Sequence, residues 1–337
     1  SEVKSEVKSE TKYIDILGNN YQPQPKGNPA WLPKLTLKGK SSWTDAELDT
    51  FSDETRKILD SDKAIAPLSL EPENDSLLIL TPVKNNAKHL DKYFELIENL
   101  DYPRNKISLA FLISDSTDNT QTMLIDFKKK FQEEAPEHMR LKRFEIYRQD
   151  FFYDLPRGER HDRDKQRDRR IVMARARNYL WTRALQNEQW VLWIDGDLHH
   201  YPPSILHDLM AYDKDIIVPN CYIGDNVYDR NAFQETPESL ALMEKLVNDD
   251  FLSDVFINLE RKRKYLYDFK EDETLVPLDG VGGTFTLVKA HVHRSGIGFP
   301  TWPFEHQVET EGFSKLAKVN GYSVYGLPFY KIWHVGN

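Results

Sequence analysis

Cysteine is almost absent. Cys221 stands alone in 337 residues, so no internal disulfide can form and no zinc-finger spacing exists. Long hydrophobic runs are missing too: nothing approaches the roughly 20 apolar residues that span a bilayer, and no signal peptide follows Ser1. An excess of positive charge is also lacking. A net charge of −9 repels nucleic acid and anionic membrane surfaces and argues against a general binder of either. Dinucleotide and P-loop spacings are absent as well. The stretch Asp279-Gly280-Val281-Gly282-Gly283 has no helix signal behind it, so it reads as a tight turn or a close backbone approach to a sugar or diphosphate.

What remains is a folded composition, 39% hydrophobic and 29% charged, long enough for one large α/β domain. Residues 1–75 read as a leader: a stalk of alternating charge over 1–10, an extended proline-rich arm over 21–40 and a short helical region over 42–60. The core pattern occupies 76–337. Apolar runs at 77–81, 107–114, 144–147, 190–194 and 215–219 predict buried strands. Helical spacings at 87–100, 120–131, 172–185 and 205–212 fall between them, and Thr236-Pro237 heads a helix over 239–247. Such alternation implies right-handed crossovers and a mostly parallel central sheet flanked by helices. Strands at 284–289 and 323–326, amid Gly and Pro, predict a mixed C-terminal part. The run 157–170 contains no uncharged apolar stretch and reads as a solvated loop of lid-like length. Asn74-Asp75-Ser76 is a glycosylation sequon.

The chemistry centres on Asp195-Gly196-Asp197, directly after the apolar run 190–194. Ligands in open α/β sheets bind at the carboxyl ends of strands. Two carboxylates one residue apart suit a hard divalent cation such as Mg²⁺ or Mn²⁺, which bridges a diphosphate and neutralises a leaving group. Arg175 and Arg177 precede that strand and suit bidentate phosphate contact, although side chains at i and i+2 of a helix point apart. Glu309 and Glu311, in FEHQVETE, are candidates for orienting acceptor hydroxyls or moving a proton, and Asp279 joins them. His334, near a carboxylate pair, has the chemistry to complete coordination of Mn²⁺.

The ordered motifs WVLWIDGDLHHYPPSILHDL, DIIVPNCY, LDGVGGTFTLVKAHVHR, ETEGFSKLAK and YGLPFYKIWH resemble the fungal Golgi mannan polymerase family, glycosyltransferase family 62, and within it the vanadate-resistance type of subunit. The resemblance runs from about Leu77 to His334. It implies a GT-A glycosyltransferase fold and retaining, metal-dependent transfer of mannose from GDP-mannose to an α-1,6-linked mannan backbone on N-glycans. It implies Mn²⁺ or another divalent cation, related subunits as hetero-oligomeric partners, and a type II Golgi membrane protein whose anchor is missing from this chain. Asp195, Asp197 and His334 match the family's metal ligands. Arg175 and Arg177 match its segment near the donor phosphates, and Thr81, Pro82, Val83, Lys84, Asn85 and Asp115 match the strand ends that hold the nucleotide. Two departures stand out: Gly196 replaces an expected alanine or valine, and the glycine loop is a short GVGGTF. Two other classes fit the same carboxylates, a catalytically silent scaffold subunit that keeps a GDP site and a metal-dependent nucleotidyltransferase.

Overall fold

The computed structural model describes residues 13–14, 20–21, 73–156, 159, 163–245 and 262–336. The chain divides into two units, Ser1–Pro67 and Leu68–Asn337. In the first, Tyr13–Ile14 pairs antiparallel with Asn20–Tyr21. The stalk, the arm beyond Tyr21 and the 42–60 helical region lie outside the described residues.

The second unit begins with β1 (Glu73–Val83), α1 (Ala87–Glu98), β2 (Ile107–Ile113), α2 (Thr120–Lys129), β3 (Arg143–Arg148), α3 (Arg163–Ala184) and β4 (Glu188–Ile194). It continues through β5 (Leu198–His200), α4 (Ile205–Met210), β6 (Ile216–Ile223), β7 (Asn226–Val227), β8 (Phe233–Gln234) and α5 (Pro237–Met243). The remaining elements are β9 (Lys264–Tyr265), β10 (Val276–Pro277), β11 (Phe285–Lys289), α6 (Ala290–Arg294), α7 (Glu309–Val319) and β12 (Val324–His334).

Eight strands run across the main sheet in the order β10-β12-β6-β11-β4-β1-β2-β3, with β5 paired to β12 and β7 to β6. β3, β2, β1 and β4 are mutually parallel. β11 enters antiparallel between β4 and β6, and β12 returns parallel to β6. The α/β class and the mixed C-terminal part therefore hold.

Alternation along β1 shows why helices must cover both faces. Leu77 and Ile79 pack with Leu90 and Phe94 of α1 and Leu124 of α2. Leu78 and Leu80 pack with Ala174 and Leu180 of α3 and Phe313 of α7. In β2 all seven residues are buried, and full burial of each large apolar side chain contributes about 2 kcal/mol. Phe94 adds ring contacts, stacking on Phe127 at 3.9 Å. Thr236 and Ser239 form a capping box with Pro237 in the first turn of α5, as the sequence signals.

Two local expectations change. The charged run is helical from Arg163 onward, forming the start of α3 rather than a loop. Its inward cations have partners: Arg170 donates to Glu311 Oε1 at 3.0 Å and is largely buried, which stabilises a helix with no apolar stripe there. The sequon lies within β1, its Asn74 exposed and its Ser76 buried. No helix among the described residues is long and apolar enough to cross a membrane.

Candidate active site

β4 is apolar from Trp190 to its last residue and delivers Asp195-Gly196-Asp197 at the carboxyl edge of the sheet. The Asp195 amide donates to Thr284 O at 3.0 Å, which fixes the turn against the residue preceding β11. β12 reaches the same edge from the other side of the sheet. Its pairing with β5 sets His334 opposite Leu198, and the Val335 amide donates to Asp197 O at 3.1 Å. As a result one ligand atom each from Asp195, Asp197 and His334 lies within 4.8 Å of the others.

Gly196 sits outside the left-handed region, so what it supplies is room rather than a sharp bend. A Cβ there would stand 2.3 Å from Asn86 Nδ2, whose amide donates to Gly196 O at 3.0 Å. Asn86 thus occupies the space that an alanine or valine would need.

The electrostatics fit a cation. Burial pushes the Asp195 carboxyl above the usual range; Arg177 opposes the shift and Asp197 adds to it. Burial is the largest influence on Asp197 and acts to raise it, but the hydrogen bond and charge of His334, with His89 and a backbone hydrogen bond, together hold that carboxyl low. His334 Nε2 lies 3.0 Å from Asp197 Oδ1, and its Nδ1 donates to Val335 O at 2.8 Å. That second bond leaves Nε2 facing the carboxylates, the usual arrangement for a ligating imidazole. Tyr228 stacks on the His334 ring at 4.1 Å. Two carboxylates and an oriented imidazole, both acids about a third exposed, fit Mn²⁺ or a similar ion by ligand chemistry.

Arg177 and Arg175 part company. Arg177 is buried, its Nη2 3.8 Å from Asp195 Oδ1 and its Nε donating to Glu309 Oε1 at 2.8 Å. Its guanidinium lies over the rings of Trp193 and Phe299. Arg175, two residues earlier on α3, is exposed, as the i, i+2 geometry of a helix requires.

Beside Asp195 opens a cavity of about 230 Å³. Of the expected nucleotide-side residues, Pro82, Val83 and Asp115 line it, with Lys84. Thr81 does not: it is buried, with its hydroxyl against Tyr93 at 2.9 Å. Asn85 instead joins two loops, accepting from the amides of Thr117 and Asp118.

The expected acceptor residues are placed elsewhere than at an open surface. Glu311 is fully buried, paired with Arg170 and with Arg263 at 3.7 Å. Glu309 is 5% exposed and committed to Arg177. Asp279 accepts from the Glu235 amide at 2.7 Å and pairs with Lys318. The charges of Glu309 and Glu311 are consumed inside the protein, and that of Asp279 is met by Lys318 at the surface. The glycine loop likewise makes space for the protein's own side chains. A Cβ at Gly282 would lie 1.7 Å from Asp229 Oδ2, and one at Gly283 would lie 2.2 Å from Arg177 Nη2.

Sequence reasoning missed Asp229. It is half-buried, accepts from the Asn231 amide at 2.8 Å, and burial pushes its carboxyl up to about 6. The available signal was a glycine pair with no ligand motif, which marks a site where another group approaches the backbone closely.

The Anp1 family model matches residues 60–303. The Mannan polymerase II complex anp1 subunit of Schizosaccharomyces pombe is 41% identical over 275 residues, covering 77% of this chain and 64% of that protein. The Mannan polymerase I complex VAN1 subunit of Saccharomyces cerevisiae is 33% identical, covering 80% of this chain and 62% of that one. The chain thus spans a little under two thirds of these relatives. Among solved structures, the Pyrobaculum calidifontis mannosyltransferase PcManGT in complex with GDP-Man and Mn²⁺ aligns at a TM-score of 0.45 and 15% identity, covering 80% of this chain and 60% of that one.

Proposed function

Because this chain belongs to the Anp1 family, we propose that it is a GT-A mannosyltransferase that moves mannose from GDP-mannose to an α-1,6-linked mannan backbone on N-glycans. The observation that carries this reading is the convergence of Asp195, Asp197 and His334 at the sheet's carboxyl edge, with a cavity opening beside Asp195. A divalent cation held by these three residues would supply Lewis-acid stabilisation of the departing diphosphate.

The chain's own residues do the rest. Arg177 sets a guanidinium beside Asp195, where negative charge develops on the leaving group. Glu309 and the ring faces of Trp193 and Phe299 hold that guanidinium in place. The acceptor hydroxyl attacks the anomeric carbon, the bond to the diphosphate oxygen breaks, and the hydroxyl proton leaves with the departing phosphate. Donor and product are both α-linked, so configuration is retained. Asp229 is our carboxylate for the sugar side: unlike Glu309 and Glu311, it forms no ion pair with a buried arginine among the described residues.

Relatives are named as subunits of mannan polymerase complexes. By that analogy we read this chain as the lumenal part of an anchored Golgi protein that works beside related subunits. The test is transfer of labelled mannose from GDP-mannose to an α-1,6-mannobiose acceptor, with Mn²⁺ and with EDTA. Transfer that requires the cation and is lost in Asp197→Ala supports the reading. A chain that turns over nucleoside triphosphates, or a metal-independent transfer, overturns it.

A further inference from the structure

Hydrogen bonds grip the backbone of the Asp195-Gly196-Asp197 turn at each of its three residues. The Asp195 amide donates to Thr284 O at 3.0 Å, ahead of β11, and Asp197 O accepts from the Val335 amide at 3.1 Å, after β12. Between them, Gly196 O accepts from Asn86 Nδ2 at 3.0 Å. Of the three, this middle bond alone comes from a side chain. Gly196 is buried and Asn86 is 8% exposed, so a carbonyl left without that partner is costly.

Local preference does not explain where the Asn86 side chain goes. Asn86 stands at the N-cap of α1, a position that favours asparagine because its side chain accepts from a free amide of the first turn. Here it makes no such bond, and its φ of −106° and ψ of 6° are not those of extended backbone. The start of α2 does the capping instead. Asp118 Oδ2 accepts from the Ala87 amide at 3.0 Å, and Thr120 Oγ1 accepts from the Asn86 amide at 2.8 Å while donating to Asp118. The Asn86 carboxamide is thereby released from its own helix and turned onto Gly196.

Space matches the hydrogen bond. Gly196 lies outside the left-handed region, so an alanine there meets no backbone strain. What it meets is Asn86: a Cβ would stand 2.3 Å from Nδ2 and 3.1 Å from Cγ, whereas Val83 Cγ1 at 3.4 Å is an ordinary contact. Glycine at 196 and asparagine at 86 therefore form a matched pair. The glycine admits the carboxamide, and the carboxamide fills the space and holds the carbonyl.

We propose that Asn86 is a positioning residue for the cation ligands: by holding the carbonyl between the two carboxylates, it sets the aim of Asp195 and Asp197 toward His334. This inference rests on the cation reading above and adds a residue that touches no cation itself. The test is calorimetric titration of Mn²⁺ into the full chain and into Asn86→Ala, Gly196→Ala and the double variant, with the melting temperature of each in EDTA. Losing a partner that orients metal ligands lowers affinity about tenfold, and each single variant is expected to show that loss. In the double variant the losses do not add, because without the carboxamide an alanine at 196 meets Val83 at an ordinary 3.4 Å. Parent affinity in Asn86→Ala overturns the assignment and leaves the cation reading intact. A lowered melting temperature with unchanged affinity also overturns it, since Asn86 then serves the fold alone, and so do fully additive losses. If Asn86→Ala does not fold, Gly196→Ala decides, because it displaces the carboxamide and leaves Asn86 in the chain; parent affinity there overturns the assignment. A parent chain that binds no Mn²⁺ removes the cation reading and this inference together.

Discussion

His293 is completely buried on α6, where Trp193 Nε1 donates to its Nε2 at 3.0 Å and Ile297 O accepts from its Nδ1 at 2.9 Å. Both ring nitrogens are used by the neutral imidazole, so protonation has no room. Burial drives its pKa down to about 4, against the hydrogen bond to Ile297. A base whose folded pKa is depressed stabilises the fold above its unfolded pKa of about 6.5, and that contribution fades as pH falls toward 4. Between pH 7 and pH 5 this group alone lowers stability by ~2 kcal/mol. Urea denaturation at the two pH values measures it, and a His293→Gln variant, which keeps an acceptor for Trp193, shows a correspondingly smaller pH dependence. Single residues were the level at which the sequence spoke least. Glu309 and Glu311 read as carboxylates able to orient an acceptor hydroxyl or move a proton; only the packing of α7 against α3 reveals Arg177 and Arg170 as their partners.

At the scale of elements, the glycine loop ahead of β11 joins the site to its support. Its backbone lies against the Asp229 carboxylate and the Arg177 guanidinium. A Gly282→Ala variant forces Asp229 away, because a Cβ 1.7 Å from a carboxylate oxygen cannot be accommodated. Mannosyl transfer is expected to drop at least tenfold while Mn²⁺ affinity changes little, since the three atoms nearest a Cβ at Gly282 all belong to Asp229; equal transfer by the two proteins refutes the role given to Asp229. The loop was visible in the sequence as glycines without a phosphate motif, but what filled the space was not. The start of α3 carried the opposite lesson. A run such as 157–170 has no hydrophobic period to read, and its helical part is held by ion pairs from distant segments, which no local window contains.

At the scale of the whole molecule, the first half of the sheet was legible because each buried parallel strand is a short apolar run between helical periods. The antiparallel entry of β11 between β4 and β6 was not, because periodicity describes an element and not its neighbours. The proximity of Asp195, Asp197 and His334 was legible for a related reason: the acids follow an apolar strand run, and the histidine ends another strand. A folded chain that binds a cation at this triad gains stability from it. With Mn²⁺ at 100 times its dissociation constant the gain is about 2.7 kcal/mol, read as a rise in melting temperature that Asp197→Ala and His334→Ala both abolish. A rise that survives in either variant places the cation elsewhere.

The triad also couples function to the order of synthesis. Asp195 and Asp197 leave the ribosome well before β11, α7 and β12 exist, and the imidazole that completes the set sits on the last of these. A nascent or truncated chain therefore carries two repelling carboxylates in place of a finished coordination site. If the triad holds a cation as proposed, binding would report completion: only a polypeptide whose final strand has docked beside β6 and β5 would retain the ion.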